Sequence, residues 1–126
     1  MSNCLFCKIV NKELPADIVF EDENVLAFRD IHPKAPIHIL IIPKQHIESI
    51  NSENSENIVK DLILTAKNII KRDSIKGYKL VFNVGKEGGQ IIDHLHAHLL
   101  SGNEWASKFL IKFSNANSPR EVILNF

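Results

Sequence analysis

The chain has 126 residues, of which 44% are hydrophobic and 24% are charged, which is typical of one globular domain. Fifteen basic residues balance fifteen acidic residues, so net charge gives no evidence for a nucleic-acid or membrane partner, and we expect neither. The longest apolar run, Ile39–Ile42, is too short to cross a bilayer. The first residues lack the basic and then apolar pattern of a secretory signal, so we expect a cytoplasmic protein.

The N-terminal third is predicted to form a helical turn and three strands. A short helical turn is expected over Lys8–Pro15. Two short β-type runs, Asp17–Phe20 and Val25–Arg29, flank a turn-like sequence and predict a hairpin. Ile37–Ile42 lies between prolines and is rich in β-branched residues. It predicts a central strand covered on both faces.

The middle of the chain is predicted to form one long helix. Apolar residues recur at three- and four-residue steps over about Glu53–Arg72, and Gly77 is placed to end that helix or the turn after it. Two further strands are predicted at Tyr78–Val84 and Ile92–Leu100, joined by a glycine-rich loop at 85–90. Strands precede and follow the helix without βαβ alternation, so we predict an α+β fold with an antiparallel sheet.

The C-terminal tail and the absence of linkers complete the predicted organisation. No repeat or linker divides the sequence, so we expect a single domain over 1–126. The tail, 103–126, is predicted to hold an amphipathic turn and a final strand at Val122–Phe126. The apolar residues of that turn are Trp105, Phe109, Leu110 and Phe113.

A row of three histidines lies in the strand predicted over Ile92–Leu100. Side chains of a strand alternate between faces, so His94, His96 and His98 share one face, with Cα atoms roughly 6.6 Å apart from one to the next. The apolar residues between them would face the core, which argues against a solvated polar face or a tag remnant. A metal site that uses two or three of these imidazoles remains open.

The loop before this strand carries three glycines within 83–90. Glycine permits positive φ and close approach of main-chain N–H groups to an anion, which is the geometry of phosphate-binding nests. A plain hairpin is the alternative. Beside a histidine row, the loop is a candidate phosphate site.

The two cysteines form one Cys-x-x-Cys pair, Cys4 and Cys7. In a reducing compartment this spacing indicates metal binding or redox chemistry before a structural disulfide. With His46 and His94 the two thiolates would complete a tetrahedral zinc site. The sequence alone does not bring the four residues together, and two half-buried thiols on a helical turn remain the alternative.

Together these motifs resemble the histidine triad (HIT) superfamily, whose signature is His-φ-His-φ-His-φ-φ with φ apolar. His94–Leu100 matches this signature at every position. The resemblance covers about 4–102 and is closest to the histidine-triad nucleotide-binding branch, the purine nucleoside phosphoramidases. Further blocks that match are Asp17–Asp22, Val25–Ile31, Ile41–His46, Phe82–Gly85 and Gly88–Gln90.

The resemblance implies a fold and a reaction. The fold is a HIT-like antiparallel sheet of about five strands with one long helix and one short N-terminal helix, continued across a two-fold homodimer. The reaction is attack by His96 on the α-phosphorus of a purine nucleotide substrate, AMP- or GMP-like, with water hydrolysing the nucleotidyl-histidine. His94, His96 and His98 would be the catalytic row, and no cofactor would be needed for the chemistry.

The resemblance also implies roles for individual residues. Asp30 would bind the ribose hydroxyls, while His98 and Asn83 would contact phosphate oxygens. Phe28 and Ile31 would line the base pocket. His94 and His46 would hold the active strand, through hydrogen bonds or as ligands of a structural zinc ion with Cys4 and Cys7. The full set of implied nucleotide-binding residues is Phe28, Asp30, Ile31, Asn83, Gly89, Gln90, Ile91, His96 and His98.

The sequence departs from the family pattern at two places. Ile91 occupies a position where many relatives have a phosphate-binding serine, and Ser101-Gly102-Asn103 replaces a common Gly-Gly-Arg. These departures keep open the alternative of a nucleotide- or partner-binding module with little catalysis. A dinucleoside polyphosphate hydrolase is a further alternative, and the Cys4 and Cys7 pair leaves open a zinc-stabilised interaction protein.

Overall fold

A computed structural model describes residues 3–102 of the chain. The turn and strand predicted in the tail, 103–126, lie outside the described residues. The elements in chain order are α1 (Leu5–Val10), β1 (Ile18–Glu21), β2 (Val25–Arg29), β3 (Ile37–Pro43), α2 (Ser55–Arg72), β4 (Lys79–Val81) and β5 (Ala97–Ser101).

The five strands form one sheet in the order β1-β2-β3-β5-β4, and every neighbouring pair is antiparallel. The predicted α+β class with an antiparallel sheet of about five strands is therefore confirmed. The β1–β2 hairpin closes as predicted, because the Asp22 carboxylate accepts hydrogen bonds from the N–H groups of Asn24 and Val25. The central position of β3 explains its nearly unbroken apolar sequence.

Each face of the sheet packs against one helix. Alternate residues of β3 face opposite sides, so Ile39 and Ile41 join the core under α2, whereas Leu40 and Ile42 join the core under α1. Both faces of β3 are covered, as predicted. Each fully buried aliphatic side chain contributes about 1.5–3 kcal/mol. The two cores therefore fix the strand register, because a shift of one residue would exchange the two faces.

The strand that carries the histidines is shorter than predicted. It begins at Ala97 instead of Ile92. The N–H of His94 donates to the carbonyl of Ile92 at 2.8 Å, and the N–H of Leu95 donates to the carbonyl of Ile47 at 2.8 Å. Residues 92–96 therefore bond to themselves and to the loop after β3, not to a sheet ladder, although their side chains still alternate.

The fourth strand is short for the same reason. β4 ends at Val81, which pairs with His98 near the beginning of β5, whereas the sequence pattern predicted a strand over Tyr78–Val84. In this register Phe82 would face Ala97, the first residue of β5, and residues 83–84 would need partners at 95–96, which are not part of the ladder.

The N-terminal helix lies earlier than predicted. α1 begins after Cys4, whose Sγ accepts a hydrogen bond from the N–H of Cys7 at 3.4 Å. It ends at Val10, just before Lys12 adopts a left-handed φ of 64°. A helical turn over Lys8–Pro15 was therefore wrong in its bounds, because the left-handed residue ends the helix before the proline.

The long helix α2 is confirmed: it begins at Ser55, two residues later than predicted, and ends at Arg72 as predicted, but a residue other than Gly77 ends it. Ser74 adopts φ 54°, the N–H of Ser74 donates to the carbonyl of Lys71, and the N–H of Ile75 donates to that of Ile70. This is a Schellman motif with serine in the left-handed position, so Gly77 does not end the helix.

The polar side of α2 carries several charges, and no helix within residues 3–102 is long and apolar enough to span a membrane.

Gly102 offers a test of the packing at the end of β5. It has φ +135°, and a Cβ there would lie 2.6 Å from side-chain carbons of Pro36. We expect Gly102→Ala to lower the free energy of unfolding by about 1–3 kcal/mol in urea denaturation. Gly77→Ala is the control, because a Cβ at Gly77 meets nothing within 4 Å. Equal stability of the two variants would contradict the packing.

Candidate active site

The three histidines of the signature lie on the sheet face that α1 covers. His94 and His96 are buried, with 0% and 7% of their surface exposed, and His98 is half-buried. The rings of His96 and His98 have centroids 5.0 Å apart. The intervening residues Leu95, Ala97 and Leu99 lie in the core under α2, so the predicted alternation of faces is confirmed.

The main chain determines which nitrogen of His96 carries its proton. Nδ1 of His96 lies 2.7 Å from the carbonyl oxygen of His94, and a carbonyl can only accept. We therefore assign the proton to Nδ1, which leaves the lone pair on Nε2. Burial lowers the pKa of His96, so the ring is neutral near pH 7. A neutral imidazole with a lone pair on Nε2 is a competent nucleophile.

The same argument orients His98 through a second histidine on β3. The N–H of Lys34 donates to Nδ1 of His38 at 3.1 Å, so the proton of neutral His38 is on Nε2. That nitrogen lies 3.0 Å from Nδ1 of His98. His98 therefore accepts at Nδ1 and carries its proton on Nε2.

His98 is held in its neutral form. Burial, followed by repulsion from His96 and His38, lowers the pKa of His98 to about 4. Burial also lowers the pKa of His38, and this effect exceeds that of the nearby Asp30 carboxylate, which raises the same pKa. At neutral pH each ring therefore keeps one donor and one acceptor, and Nε2–H of His98 is a directed hydrogen-bond donor.

Asp30 lies at the end of β2 beside these two rings. Its Oδ2 is 3.4 Å from Nε2 of His38, and its Oδ1 accepts a hydrogen bond from the N–H of His32 at 2.8 Å. Asp30, His38 and His98 are close enough to hold a cation. A cation bound at Nε2 of His38 would require the proton of that ring to lie on Nδ1. That proton would face the N–H of Lys34, so two donors would oppose each other. The hydrogen bonds therefore favour a proton, and not a cation, on Nε2 of His38.

The glycine-rich loop lies before the histidine row. Gly89 has φ 85°, and a Cβ there would lie 3.1 Å from Nδ2 of Asn83, which itself donates to the carbonyl of Gly89 at 3.4 Å. Only glycine allows this approach without strain. Among the other implied base and phosphate residues, Phe28 is buried and packs on Phe6, whereas Ile31 and Ile91 are 84% and 90% exposed.

Gln90 closes the loop from inside. Its side-chain oxygen accepts a hydrogen bond from the N–H of Gly85 at 2.9 Å, and its Nε2 donates to the carbonyls of Glu48 and Ile92 at 2.7 and 3.0 Å. Both of its donor hydrogens have main-chain partners and the side chain is buried. Gln90 therefore stabilises the loop through its side chain, and a contact with ligand would need its main chain.

Both cysteines converge with two histidines, as the zinc hypothesis requires. Nδ1 of His94 lies 3.3 Å from Sγ of Cys4, 3.6 Å from Sγ of Cys7 and 3.2 Å from Nδ1 of His46. Sγ of Cys7 lies 3.3 Å from Nδ1 of His46. The four candidate ligand atoms all lie within 4.8 Å of one another.

These separations fit a tetrahedral zinc ion. Bonds of about 2.3 Å to sulfur and about 2.0–2.1 Å to nitrogen separate S from N by about 3.6 Å and two N atoms by about 3.3 Å in a regular tetrahedron. Nε2 of His94 lies 2.8 Å from the carbonyl of Pro43, so Nε2 carries the proton and Nδ1 presents its lone pair to the cluster. This main-chain partner is the second-shell contact usual for a metal-bound histidine.

Comparison with known proteins supplies the family. A family model described as scavenger mRNA decapping enzyme C-term binding matches residues 3–110. A HIT-like protein of Synechococcus elongatus is 47% identical over 105 residues, covering 81% of this chain and 92% of its own. The chain belongs to the HIT superfamily. A HIT family hydrolase from Legionella pneumophila is 50% identical with a TM-score of 0.75, covering 80% of this chain and 94% of its own.

One solved HIT relative is described as zinc-bound. A zinc-bound histidine triad family protein from Mycobacterium smegmatis is 30% identical, with a TM-score of 0.70, covering 80% of this chain and 76% of its own. Zinc is a property of that protein, and the cluster of this HIT chain is compatible with the same ion.

Two residues of this HIT site were missing from the sequence analysis. His38 was hidden in an apolar strand, and only the β3–β5 register places it beside His98. Phe6 lay in a segment whose helix was predicted too late, although its position between the two cysteines is visible in the sequence. Its ring packs against His94 and His96.

Proposed function

We propose that the protein is a nucleotide-binding hydrolase that cleaves purine nucleoside phosphoramidates or related adenylylated substrates through a nucleotidyl-His96 intermediate. The observation that carries the proposal is the 2.7 Å contact between Nδ1 of His96 and the carbonyl of His94. It leaves the Nε2 lone pair on a neutral ring. The similarity to the HIT family hydrolase from Legionella pneumophila supports hydrolysis as the reaction class.

The reaction has two displacements at phosphorus. In the first, the Nε2 lone pair of His96 forms a bond to the α-phosphorus while the bond to the leaving group breaks, and the leaving group departs with the electron pair and a proton taken from solvent. In the second, water attacks the same phosphorus and loses a proton to solvent while the bond to Nε2 breaks, and the electron pair returns to Nε2, which restores the neutral ring. His98 donates from Nε2–H to a phosphate oxygen, whose charge rises in each displacement.

The nucleotide would extend from the histidine row toward the end of β2. Asp30 would accept hydrogen bonds from the ribose hydroxyls, and Phe28 and Ile31 would contact the base. Asn83 and the main chain around Gly89 would contact the phosphate. The contact of Asp30 with His38 supports this arrangement, as does the packing of Phe28 on the Phe6 ring that contacts His96. Adenine or guanine would fit the same apolar contacts.

A variant of the proposed nucleophile tests the mechanism. We expect His96→Ala to lower turnover of an adenosine phosphoramidate by roughly 10³-fold or more, because the covalent route is removed. Quenched-flow mass spectrometry should detect an AMP-sized adduct on the wild type and none on the variant. His32→Ala is the control, since His32 is exposed, and it should retain both turnover and adduct. Near-normal turnover by His96→Ala would exclude covalent catalysis at this residue.

Ile91 favours a second candidate, a nucleotide-binding module with little catalysis. Its side chain is 90% exposed beside the phosphate loop and has no hydrogen-bond donor. Under this alternative, the wild type would bind AMP but form no adduct and cleave no leaving group in the same experiment.

We also propose a structural zinc ion held by Cys4, Cys7, His46 and His94. The ion would tie the beginning of α1 to the segment before β5, and the chemistry at phosphorus would not require it. Thiolate ligands need reduced cysteines, so we propose that the protein works in a reducing compartment, the cytoplasm.

Elemental analysis tests the zinc proposal. Protein purified without chelator should contain about one zinc per chain, and Cys7→Ser should contain less than about a tenth and unfold at lower temperature, because metal binding contributes folding free energy. Cys4 and His46 line an open cavity of about 480 Å³, so a chelator can reach the cluster. His32→Ala should keep its zinc. Wild-type protein without zinc would refute the proposal.

We further propose that the protein is a two-fold homodimer whose sheet continues through β4. Among residues 3–102, this strand lies at one end of the sheet order, next to β5. Tyr78, next to it, is 50% exposed, and Ile63 and Leu64 of α2 are 39% and 46% exposed.

Light scattering after gel filtration tests the dimer. The wild type should have twice the mass of one chain, whereas Tyr78→Glu should shift the protein toward a monomer by placing a charge at the sheet edge. Leu14→Glu is the control, since Leu14 is exposed and precedes β1, the strand at the opposite end of the sheet order from β4. A monomeric wild type would contradict the proposal.

A further inference from the structure

Phe6 connects the cysteine cluster with the histidine row. It lies between Cys4 and Cys7 on α1, and only 3% of its surface is exposed. Its ring meets His96 edge-on, with centroids 5.1 Å apart and planes at 83°. It meets His94 in the same way, with centroids 5.8 Å apart and planes at 78°. One aromatic ring thus contacts a candidate metal ligand and the proposed nucleophile.

His94 provides a second connection between the same two places. Its Nδ1 points at the two thiols, and its Nε2–H is held by the carbonyl of Pro43 at 2.8 Å. Its own main-chain carbonyl accepts the proton of Nδ1 of His96 at 2.7 Å. A movement of His94 would therefore disturb the hydrogen bond that sets the proton position in His96.

We infer that Phe6 is a positioning residue that transmits the closure of the cysteine cluster to the ring of His96. The inference rests on the proposed function. With the four ligands closed, α1 and His94 are both fixed, and the ring of His96 is held between the His94 carbonyl and the edge-on Phe6. With the cluster open, α1 is released at its N-terminal end, and one wall of the His96 site is released with it.

The structure favours this role over simple core packing. Phe6 belongs to the apolar cluster under α1, which also contains Ile9, Leu26 and Phe28, so it does contribute to stability. Its neighbours Cys4 and Cys7 are both candidate ligands, however, so closure of the cluster acts on the short segment that carries its ring. Misplacement of a reacting group by about 1 Å can cost about 10²-fold in rate.

The test compares Phe6→Leu with Val10→Ala, both in zinc-loaded protein. Val10 lies on the same helix and packs against the same apolar cluster, and it makes no ring contact with either histidine. We expect Phe6→Leu to keep its zinc and to bind AMP with nearly unchanged affinity. Formation of the nucleotidyl adduct should slow by on the order of 10- to 100-fold, whereas Val10→Ala should be close to the wild type.

A second readout does not depend on turnover. The Nδ1–H proton of His96, assigned in NMR spectra by its loss in His96→Gln, should be sharp and protected in zinc-loaded wild type and Val10→Ala. It should exchange faster with water in Phe6→Leu and in wild type stripped of metal. If Phe6→Leu does not fold, Phe6→Met and the metal-stripped wild type give the same comparison.

The outcomes separate this inference from the proposed function. A wild type that forms no adduct refutes the proposed function, while the exchange of the His96 proton still tests the role of Phe6. Full zinc content, normal adduct formation and a protected His96 proton in Phe6→Leu would overturn the inference. An unchanged His96 proton in folded, metal-stripped wild type would overturn it as well.

Discussion

The placement of protons on buried imidazoles is the constraint on which the site depends. The N–H of Lys34 and the carbonyls of Pro43 and His94 each bond one nitrogen of a ring. Since each ring is neutral, the state of one nitrogen sets the state of the other. The N–H of Lys34 thus leaves the proton of His38 on Nε2. The carbonyls of Pro43 and His94 hold the protons of His94 and His96, and so leave a lone pair on Nδ1 of His94 and on Nε2 of His96. The buried histidines therefore present different groups, a donor or a lone pair, because each ring bonds to a different main-chain group.

The sheet supplies these partners because two of its central segments run side by side. His38 lies on β3 and His98 on β5, and the antiparallel register places both on the face covered by α1. At one end of this row lies Asp30, and at the other end lie the cysteines of α1. The nucleophile is between them, so a change at either end reaches it through contacts already present. The long helix α2, on the opposite face, anchors the apolar residues between the histidines.

Sequence patterns predicted the elements whose apolar residues recur at a helical period or form an unbroken β-branched run. The long helix and the central strand followed directly, and the order of elements gave the antiparallel sheet. The beginning of β5 did not follow, because an extended segment bonded to Ile47 alternates its side chains as a strand does. The end of α2 at Arg72 was predicted, but the residue that ends it was not, because Ser74 takes a left-handed conformation usually given to glycine. At the site, the cysteine cluster was foreseen as a hypothesis. His38 was not, because its neighbour depends on register.

In the loop around Gly85, the side chains of Gln90 and Ile91 offer no hydrogen-bond donor to a phosphate. Gln90 uses its side chain to close the loop, and Ile91 exposes only hydrocarbon. Within the part of the chain that the structure describes, the side-chain donors proposed for the phosphate are Asn83 and His98. More of the stabilisation of developing charge would therefore come from His98, whose donor is set by the hydrogen bonds that begin at Lys34. A missing hydroxyl at the loop thus increases the importance of a main-chain amide in the segment before β3.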